Sequence, residues 1–468
     1  MAFQILLVNP PYPSARGYNR EGRCTQEATF WSTPWPPLSL ASIAAVLSPA
    51  NSVRIIDCPA ERVSAEKLVA RVGRDRPDVV IAALSTETVE SDLAVLAEIK
   101  AVLQTSAVVA FGIHASIFAG GILGDSPVDF IIRGEPEETS AELVTALWKH
   151  TPLQDVRGIA FRSQTGAVAL TEKREFIGNL DGLPFPAWNL VDLGRYRLPI
   201  SSEKFLIVNT SRGCPFTCVF CNAQAYYGSR LRTRSAENIL AEIRTGIDRF
   251  GIRDYFFWGD TFTAAREQVK DLCARMIAEE TNIRWVANSR VDTIDEEELS
   301  LMKTAGCWLL SYGLESGDDR ILRECGKNIT REKIRDAVRM TREAGLKIAG
   351  HFILGLPGET EETARGTIAL ARELDLDFAH FYSAVPYPGS RLFDIASGEG
   401  WIRGKSWARF RQTEFVMDLP TISAASLERF KRKAYRSLLL RPKTIKTVLS
   451  LFFSRFRNSR RGRKRRRS

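Results

Sequence analysis

The segment Thr210-Ser-Arg-Gly-Cys214-Pro-Phe-Thr-Cys218-Val-Phe-Cys221-Asn gathers three cysteines within eight residues. Thiolates are soft ligands, and three at this spacing can cap three corners of an iron–sulfur cubane, leaving one iron without a protein ligand. An open coordination position is what a catalytic centre needs, whereas structural centres are closed. The competing use is a zinc site completed by a distant His or Cys. Zinc usually takes cysteines in C-x₂₋₄-C pairs, and the other cysteines, at 24, 58, 273, 307 and 325, form no second pair. Eight cysteines in 468 residues, three clustered and five scattered, do not suggest a disulfide framework and suit a reducing compartment.

The elements that must position this loop follow from the hydrophobic pattern. From Lys204 onward, apolar runs (Phe205–Asn209, Tyr255–Trp258, Arg284–Ala287, Trp308–Tyr312, Lys347–Leu354, Phe378–Ser383) alternate with helical stretches such as Ala236–Phe250, Arg331–Ala344 and Glu361–Leu374. Six such units make most of a (β/α) barrel, whose chemistry sits at the carboxyl ends of its strands. The cysteine loop follows the first of these strands. Gly251, Gly306 and Gly345 stand just past helix ends, where a left-handed cap favours glycine.

Residues 1–150 show a second alternation, with strands expected at Ile5–Val8, Val53–Asp57, Val79–Leu84, Val108–Phe111 and Phe130–Ile132. This predicts a doubly wound parallel sheet that binds ligands beyond its strand ends. The loops there are Asn9-Pro-Pro-Tyr-Pro, Ser85-Thr-Glu-Thr, Gly112-Ile-His-Ala-Ser and Gly134-Glu-Pro-Glu. No G-x-G-x-x-G follows the first strand, so a dinucleotide is poorly supported. The reading divides the chain into 1–150, a linker at 151–203, the barrel at 204–395, a C-terminal region at 396–437 and a basic amphipathic tail at 438–468. Within the linker, Val156–Arg162 and Ala167–Thr171 can form a hairpin.

C-x-x-x-C-x-Φ-C on the first loop of a partial barrel resembles the radical S-adenosylmethionine (SAM) signature, with Phe220 as its aromatic residue. The resemblance implies that Cys214, Cys218 and Cys221 hold a [4Fe–4S] cluster whose fourth iron binds SAM. Further motifs agree in order: Trp258-Gly-Asp260, Asn288-Ser-Arg290-Val-Asp292, Tyr312-Gly-Leu-Glu315-Ser316-Gly, His351-Phe-Ile-Leu-Gly355-Leu-Pro-Gly-Glu, and Pro386-Tyr-Pro-Gly-Ser. By the same resemblance, Phe220, Asp260, Arg290, Glu315, Ser316, His351 and Gly355 line the SAM site. The bland readings are that Asp260 and Glu315 cap helices and that the glycines only permit turns.

With this barrel behind it, the N-terminal domain resembles the cobalamin-binding domain of one radical SAM class, through N-P-P, G-x-H-A and R-G-E-x-E elements. The resemblance implies corrin contacts from Asn9, Pro10, Ser85, Thr86, Gly112, His114, Ala115, Gly134 and Glu135. The D-x-H-x-x-G motif that supplies a lower cobalt ligand in classical cobalamin enzymes is missing. The four histidines, His114, His150, His351 and His380, lack that setting, which implies a cobalt without a lower His ligand.

The implied reaction uses two SAM molecules, one as methyl donor to cobalamin and one as radical source, to methylate an unactivated carbon of a small or lipid-like substrate. The architecture also resembles non-methylating relatives of the cyclase or rearrangement type. Methylthiolation of tRNA would need a second cysteine set, which Cys24 and Cys58 do not supply. The formal charge of +10 comes from the tail, where residues 454–468 carry nine Arg or Lys and no acid. An RNA-binding or RNA-modifying protein would account for that tail but not for the cysteine loop, so nucleic acid is not favoured. Leu438–Phe456 interleaves apolar and basic residues, the pattern of peripheral contact with an anionic membrane. The expected location is the cytoplasm, or the inner face of a membrane. An electron donor such as flavodoxin or ferredoxin is the expected protein partner.

Overall fold

The computed structural model describes residues 2–12, 18–21, 26–27, 34–198 and 201–439. Cys24 and the basic run from 440 onward lie outside the described residues. Among the described residues, no helix is long and apolar enough to cross a membrane.

The N-terminal domain is built on strands β1 (Gln4–Asn9), β2 (Ser52–Asp57), β3 (Val79–Ala83), β4 (Ala107–Phe111) and β5 (Phe130–Ile132). They are parallel, in the order β2-β1-β3-β4-β5. Both faces are covered, so the strands β3, β4 and β5 are apolar throughout. Ile5 and Leu7 pack under helices α1 (Leu38–Leu47) and α4 (Pro136–Lys149). Leu6 and Val8 face α2 (Ala65–Asp75) and α3 (Val89–Leu103) on the other side.

The segment expected as a linker does more than connect. Its hairpin, β6 (Ile159–Arg162) and β7 (Val168–Leu170), adds antiparallel to β5 and extends the sheet to seven strands. Burial of Ile159 and Phe161 against the sheet core drives the addition. Arg162 locks it by donating to the carbonyls of Val128 (2.7 Å), Leu123 and Ser126.

The second sheet has six parallel strands in sequence order: β8 (Phe205–Asn209), β9 (Asp254–Trp258), β10 (Arg284–Ser289), β11 (Cys307–Glu315), β12 (Lys347–Leu354) and β13 (Phe378–Ser383). Among the described residues β8 and β13 do not pair, so the barrel is open. Most helices between strands start at side-chain caps, among them Ser235, Asp295, Thr330 and Thr360. Two of them, α5 (Ala236–Phe250) and α6 (Arg266–Ala278), share an apolar core with Trp285 and Phe257, which stack at 4.7 Å. The three expected glycine caps have positive φ. At Gly306 the reason is also steric, since a Cβ would lie 2.1 Å from the Ile283 carbonyl oxygen.

The C-terminal region touches both domains. Helix α7 (Ala424–Leu439) packs on the barrel, with the Tyr435 hydroxyl donating to the Phe381 carbonyl (3.3 Å). Upstream, the Ser406 hydroxyl and the Trp407 amide donate to Glu90 on α3 at 2.9 Å each.

Candidate active site

Leaving β8, the chain forms a two-residue antiparallel ladder, Ser211–Arg212 against Arg232–Thr233, which brackets the cysteine loop. The loop opens at Gly213, where φ is +86° and a Cβ would fall 2.1 Å from the Arg230 carbonyl oxygen, so only glycine fits. The Gly213 amide donates to Asp260 Oδ2 at 2.9 Å. Asp260 therefore ties the second-strand loop to the first. Gln224 Nε2 donates to the Cys214 and Phe216 carbonyls (3.0 and 3.1 Å), fixing the loop interior.

Cys214 is buried, and Cys218 and Cys221 are half-buried. The Ala223 amide lies 3.5 Å from Cys221 Sγ, and Arg290 Nη1 lies 3.8 Å from Cys218 Sγ. Donors and cations around the sulfurs fit thiolate ligands. Burial pushes the Cys218 thiol up, opposed by Lys327 and Arg290, and ligation of a metal replaces that proton. Among the described residues, no three metal-ligating side chains converge on one ion. A cubane offers each thiolate a different iron, so its ligands spread around it.

Beside the loop stands a compact charged cluster. Arg290 is paired through two 2.9 Å bonds with Asp292, donates to the Lys327 carbonyl (2.7 Å), and covers the Phe216 ring at 3.7 Å. Lys327 is buried and donates to Glu315 Oε1 at 2.8 Å. Glu315 sits in the left-handed region (φ +60°), where the β11–β12 register shifts, which aims its side chain back at Lys327. Lys327 belongs to no motif of the sequence reading. Its Cys325-Gly-Lys turn packs on the cysteine loop through the Val219 amide, which donates to the Cys325 carbonyl (2.9 Å).

Neither Asp260 nor Glu315 is a helix cap. Ser316 is turned away, bonded to Thr367 Oγ1 of the helix Glu361–Glu373 (3.3 Å) and accepting from the Asp318 amide (3.2 Å). The Gly355 amide donates to Glu359, whose carboxyl burial pushes up to about 8. His351 lies in the barrel between Ser311 and Tyr382 (Nδ1 to hydroxyl, 3.0 Å) and stacks on His380 at 5.4 Å. Burial, with His380 beside it, lowers its pKa to about 3, so the ring is neutral. Phe220 packs with Val219 and Leu356 under the loop.

On the N-terminal side, the order β2-β1-β3-β4-β5 puts its switch point between β1 and β3, the place where such sheets bind ligands. A cleft of about 660 Å³, part of it open to solvent, lies there, lined by Ser85, Thr86, Glu87 and Gly112 and, from the barrel, Tyr226, Tyr227 and Tyr387. Gly112 has φ +124°, and a Cβ would lie 2.4 Å from the Leu84 carbonyl oxygen, so the backbone itself forms the cleft wall. Ser85 bonds Thr88 at 2.7 Å. The Pro10 carbonyl accepts from Arg20 (2.7 Å), and Asn9 donates to Asp57 at 3.4 Å. The cleft is thus built from polar loop ends of one domain and aromatic side chains of the other.

Three expected corrin residues are placed differently. Ala115 is packed in the core. His114 is buried, bonded to Thr86 at 3.3 Å and wedged against Phe118 and Trp407; burial drops its pKa to about 4. Glu135 turns away from the cleft to meet Arg212 and Arg232 of the barrel at 3.1 and 2.9 Å. Gly134 precedes it with φ +83°, its amide held by Ser116 (3.0 Å). Tyr387, in the Pro386-Tyr-Pro-Gly motif, was not among the expected site residues. Its hydroxyl donates to Glu87 of the cleft at 3.0 Å, joining the two sites.

Comparison with known proteins agrees with this geometry. Residues 208–371 match the family model of the radical SAM superfamily, and residues 32–144 match that of the B12 binding domain. An uncharacterized methyltransferase of Pyrococcus horikoshii is 34% identical over 443 residues, 94% of either chain. The anaerobic magnesium-protoporphyrin IX monomethyl ester cyclase of Rubrivivax gelatinosus is 28% identical, over 83% of this chain and 69% of its own. Among solved structures, the radical SAM methyltransferase TsrM from Kitasatospora setae, with cobalamin and a [4Fe-4S] cluster bound, superposes with a TM-score of 0.72. That match covers 94% of this chain and 90% of TsrM at 18% identity, and it speaks for the fold. A thiol-bearing loop at the mouth of an open barrel, facing the switch point of a doubly wound sheet, is thus the shared architecture of a family: this chain belongs to the radical SAM enzymes that carry a B12-binding domain.

Proposed function

We propose that this chain is a C-methyltransferase that acts on an unactivated carbon of a small or lipid-like substrate held between its two domains. One observation carries the reading: the cleft at the switch point is lined from both domains, and Tyr387 bonds directly to Glu87 across it. Cofactors at the two sites would therefore face the same space.

In this reading Cys214, Cys218 and Cys221 hold the cluster, and the switch-point loops with Ser85, Thr86 and Gly112 hold the corrin. When bound, the cluster and SAM supply a carbon-centred radical that removes hydrogen from the substrate, and the corrin supplies the methyl group. The residues of the chain orient and enclose. Asp260 anchors the loop through the Gly213 amide. Arg290, paired with Asp292, presents a fixed cation beside Cys218. The Lys327–Glu315 pair offers both charges to the amino and carboxylate groups of SAM. His351 stays neutral, so it adds no charge repelling the sulfonium, and with Ser311 and Tyr382 it shapes a polar barrel wall. Enclosure between domains keeps water from a reactive radical. An external one-electron donor of the flavodoxin or ferredoxin class completes the cycle.

The test is anaerobic. The protein is reconstituted with iron, sulfide and cobalamin, given reductant and SAM, and its products are read by mass spectrometry. The expected products are 5′-deoxyadenosine and S-adenosylhomocysteine, with 5′-deoxyadenosine lost in Cys218→Ala. The cyclase relatives support a second reading, without methyl transfer. It predicts 5′-deoxyadenosine with no S-adenosylhomocysteine, and that result would overturn the methyltransferase reading.

A further inference from the structure

The acids of the Arg133-Gly-Glu-Pro-Glu137 motif are spent on the barrel. Glu135 accepts from Arg212 Nη1 (3.1 Å), Arg232 Nη1 (2.9 and 3.0 Å) and the Ile177 amide (2.8 Å). Glu137 accepts from both terminal nitrogens of Arg212, at 2.5 and 3.2 Å. All four side chains are 9% exposed or less. Arg232 also donates to the carbonyls of Ile177 (2.7 Å) and Tyr227 (2.8 Å), and it lies over Phe176.

Burying four charges costs several kcal/mol per ion before their attraction offsets it, and apolar side chains of similar volume often serve stability as well. What an ion-paired network adds is direction, because the guanidinium fork accepts carboxylates in few orientations. The place where that direction is imposed is telling. Arg212 stands two residues before Cys214, and Arg232 eleven after Cys221, on the two strands of the ladder that brackets the loop. Glu135 and Glu137 stand where β5 passes into α4, at the ligand end of the N-terminal sheet. The network therefore grips both stems of the cysteine loop and ties them to the sheet of the other domain.

We propose that Glu135 and Glu137 are positioning residues that, through Arg212 and Arg232, set the distance between the cluster and the corrin. The proposal rests on the functional reading above. A change of about 1 Å in the placement of reacting groups can cost about 100-fold in rate, so loosening the grip should uncouple the two cofactors without expelling either.

The experiment uses the full chain, reconstituted with cluster and cobalamin, as wild type, Glu137→Gln and Arg212→Lys. Pulsed electron paramagnetic resonance reads the dipolar coupling between the reduced cluster and paramagnetic cobalt. In both variants the expected result is wild-type iron and corrin content with a broadened or lengthened distance distribution. The ratio of 5′-deoxyadenosine to S-adenosylhomocysteine should rise about tenfold or more, within the range that misplacement produces. A wild-type distribution and ratio in both variants overturns the proposal. Should Glu137→Gln not accumulate folded, Glu137→Asp keeps the charge but draws it back by one methylene. It should broaden the distribution to a lesser degree, and an unchanged distribution there also overturns the proposal. A wild-type protein that retains no corrin overturns the functional reading and the proposal with it, whereas an unchanged distance overturns the proposal alone.

Discussion

Glu298 lies fully buried in the first turn of the helix spanning Glu296–Thr304, and among the described residues neither carboxyl oxygen has a hydrogen-bond partner. A helix N-terminus favours negative charge, yet burial dominates here and pushes the carboxyl up to about 7. The fold therefore binds this proton more tightly than the unfolded chain does. The associated stability is complete below the ordinary carboxyl value and is lost as pH rises through about 7. Glu298→Gln, which never ionises, should leave thermal stability nearly unchanged at about pH 4, below the ordinary carboxyl value. At about pH 8 it should raise it by about 2 to 3 kcal/mol, the linkage of a carboxyl that the fold raises to about 7; equal effects at both pH values would refute this. Glu315 is buried too, but it has a partner: Lys327 donates to it at 2.8 Å, and the strained φ of +60° is the geometry that brings them together.

At the scale of elements, the cysteine loop depends on its first turn. Gly213→Ala would place a methyl 2.1 Å from the Arg230 carbonyl oxygen at a φ of +86°. The strain should exceed about 1 kcal/mol and fall on a loop, leaving helix and strand content intact. Expected outcomes are an unchanged far-ultraviolet circular dichroism spectrum and a loss of most bound iron after reconstitution; full iron binding would contradict this reading of Gly213. Strands and helices were legible in advance because their apolar periods are strong and their caps are of the expected types. Gly251, Gly306 and Gly345 mark helix ends that the structure reproduces. The cysteine loop was legible because three thiols at short spacing need no tertiary information. The partners of the site were not. Lys327 follows an ordinary helical stretch, and only the packing of its turn on the cysteine loop makes it a neighbour of Cys218. Glu135 was expected at the corrin because its loop follows a strand of the ligand-binding sheet. The arginines that claim it lie 77 and 97 residues further on. The hairpin at Ile159–Leu170 was visible as a hairpin, but the strand it pairs with is a tertiary choice.

Across the whole molecule, the two domains meet through a few polar bonds of long sequence separation. Tyr387 to Glu87 is one, and Tyr196 to Asp57, at 2.6 Å, is another. Tyr387→Phe removes one hydroxyl from a buried contact with a carboxylate, a loss of about 2 kcal/mol. Since that bond joins the barrel to the switch-point loop, the variant should retain less corrin while keeping its iron. Equal retention of both, measured on the reconstituted protein, would show that the bond does not support the corrin site. The ion pairs between domains also have a history in time. Domains form as units, the N-terminal one first, while the chain is still being made. Glu135 and Glu137 are then finished long before their partners, since Arg212 follows Glu137 by 75 residues and Arg232 follows Glu135 by 97. During that interval the two carboxylates lack their guanidinium partners, and they are neutralised only when the barrel half of the same polypeptide arrives.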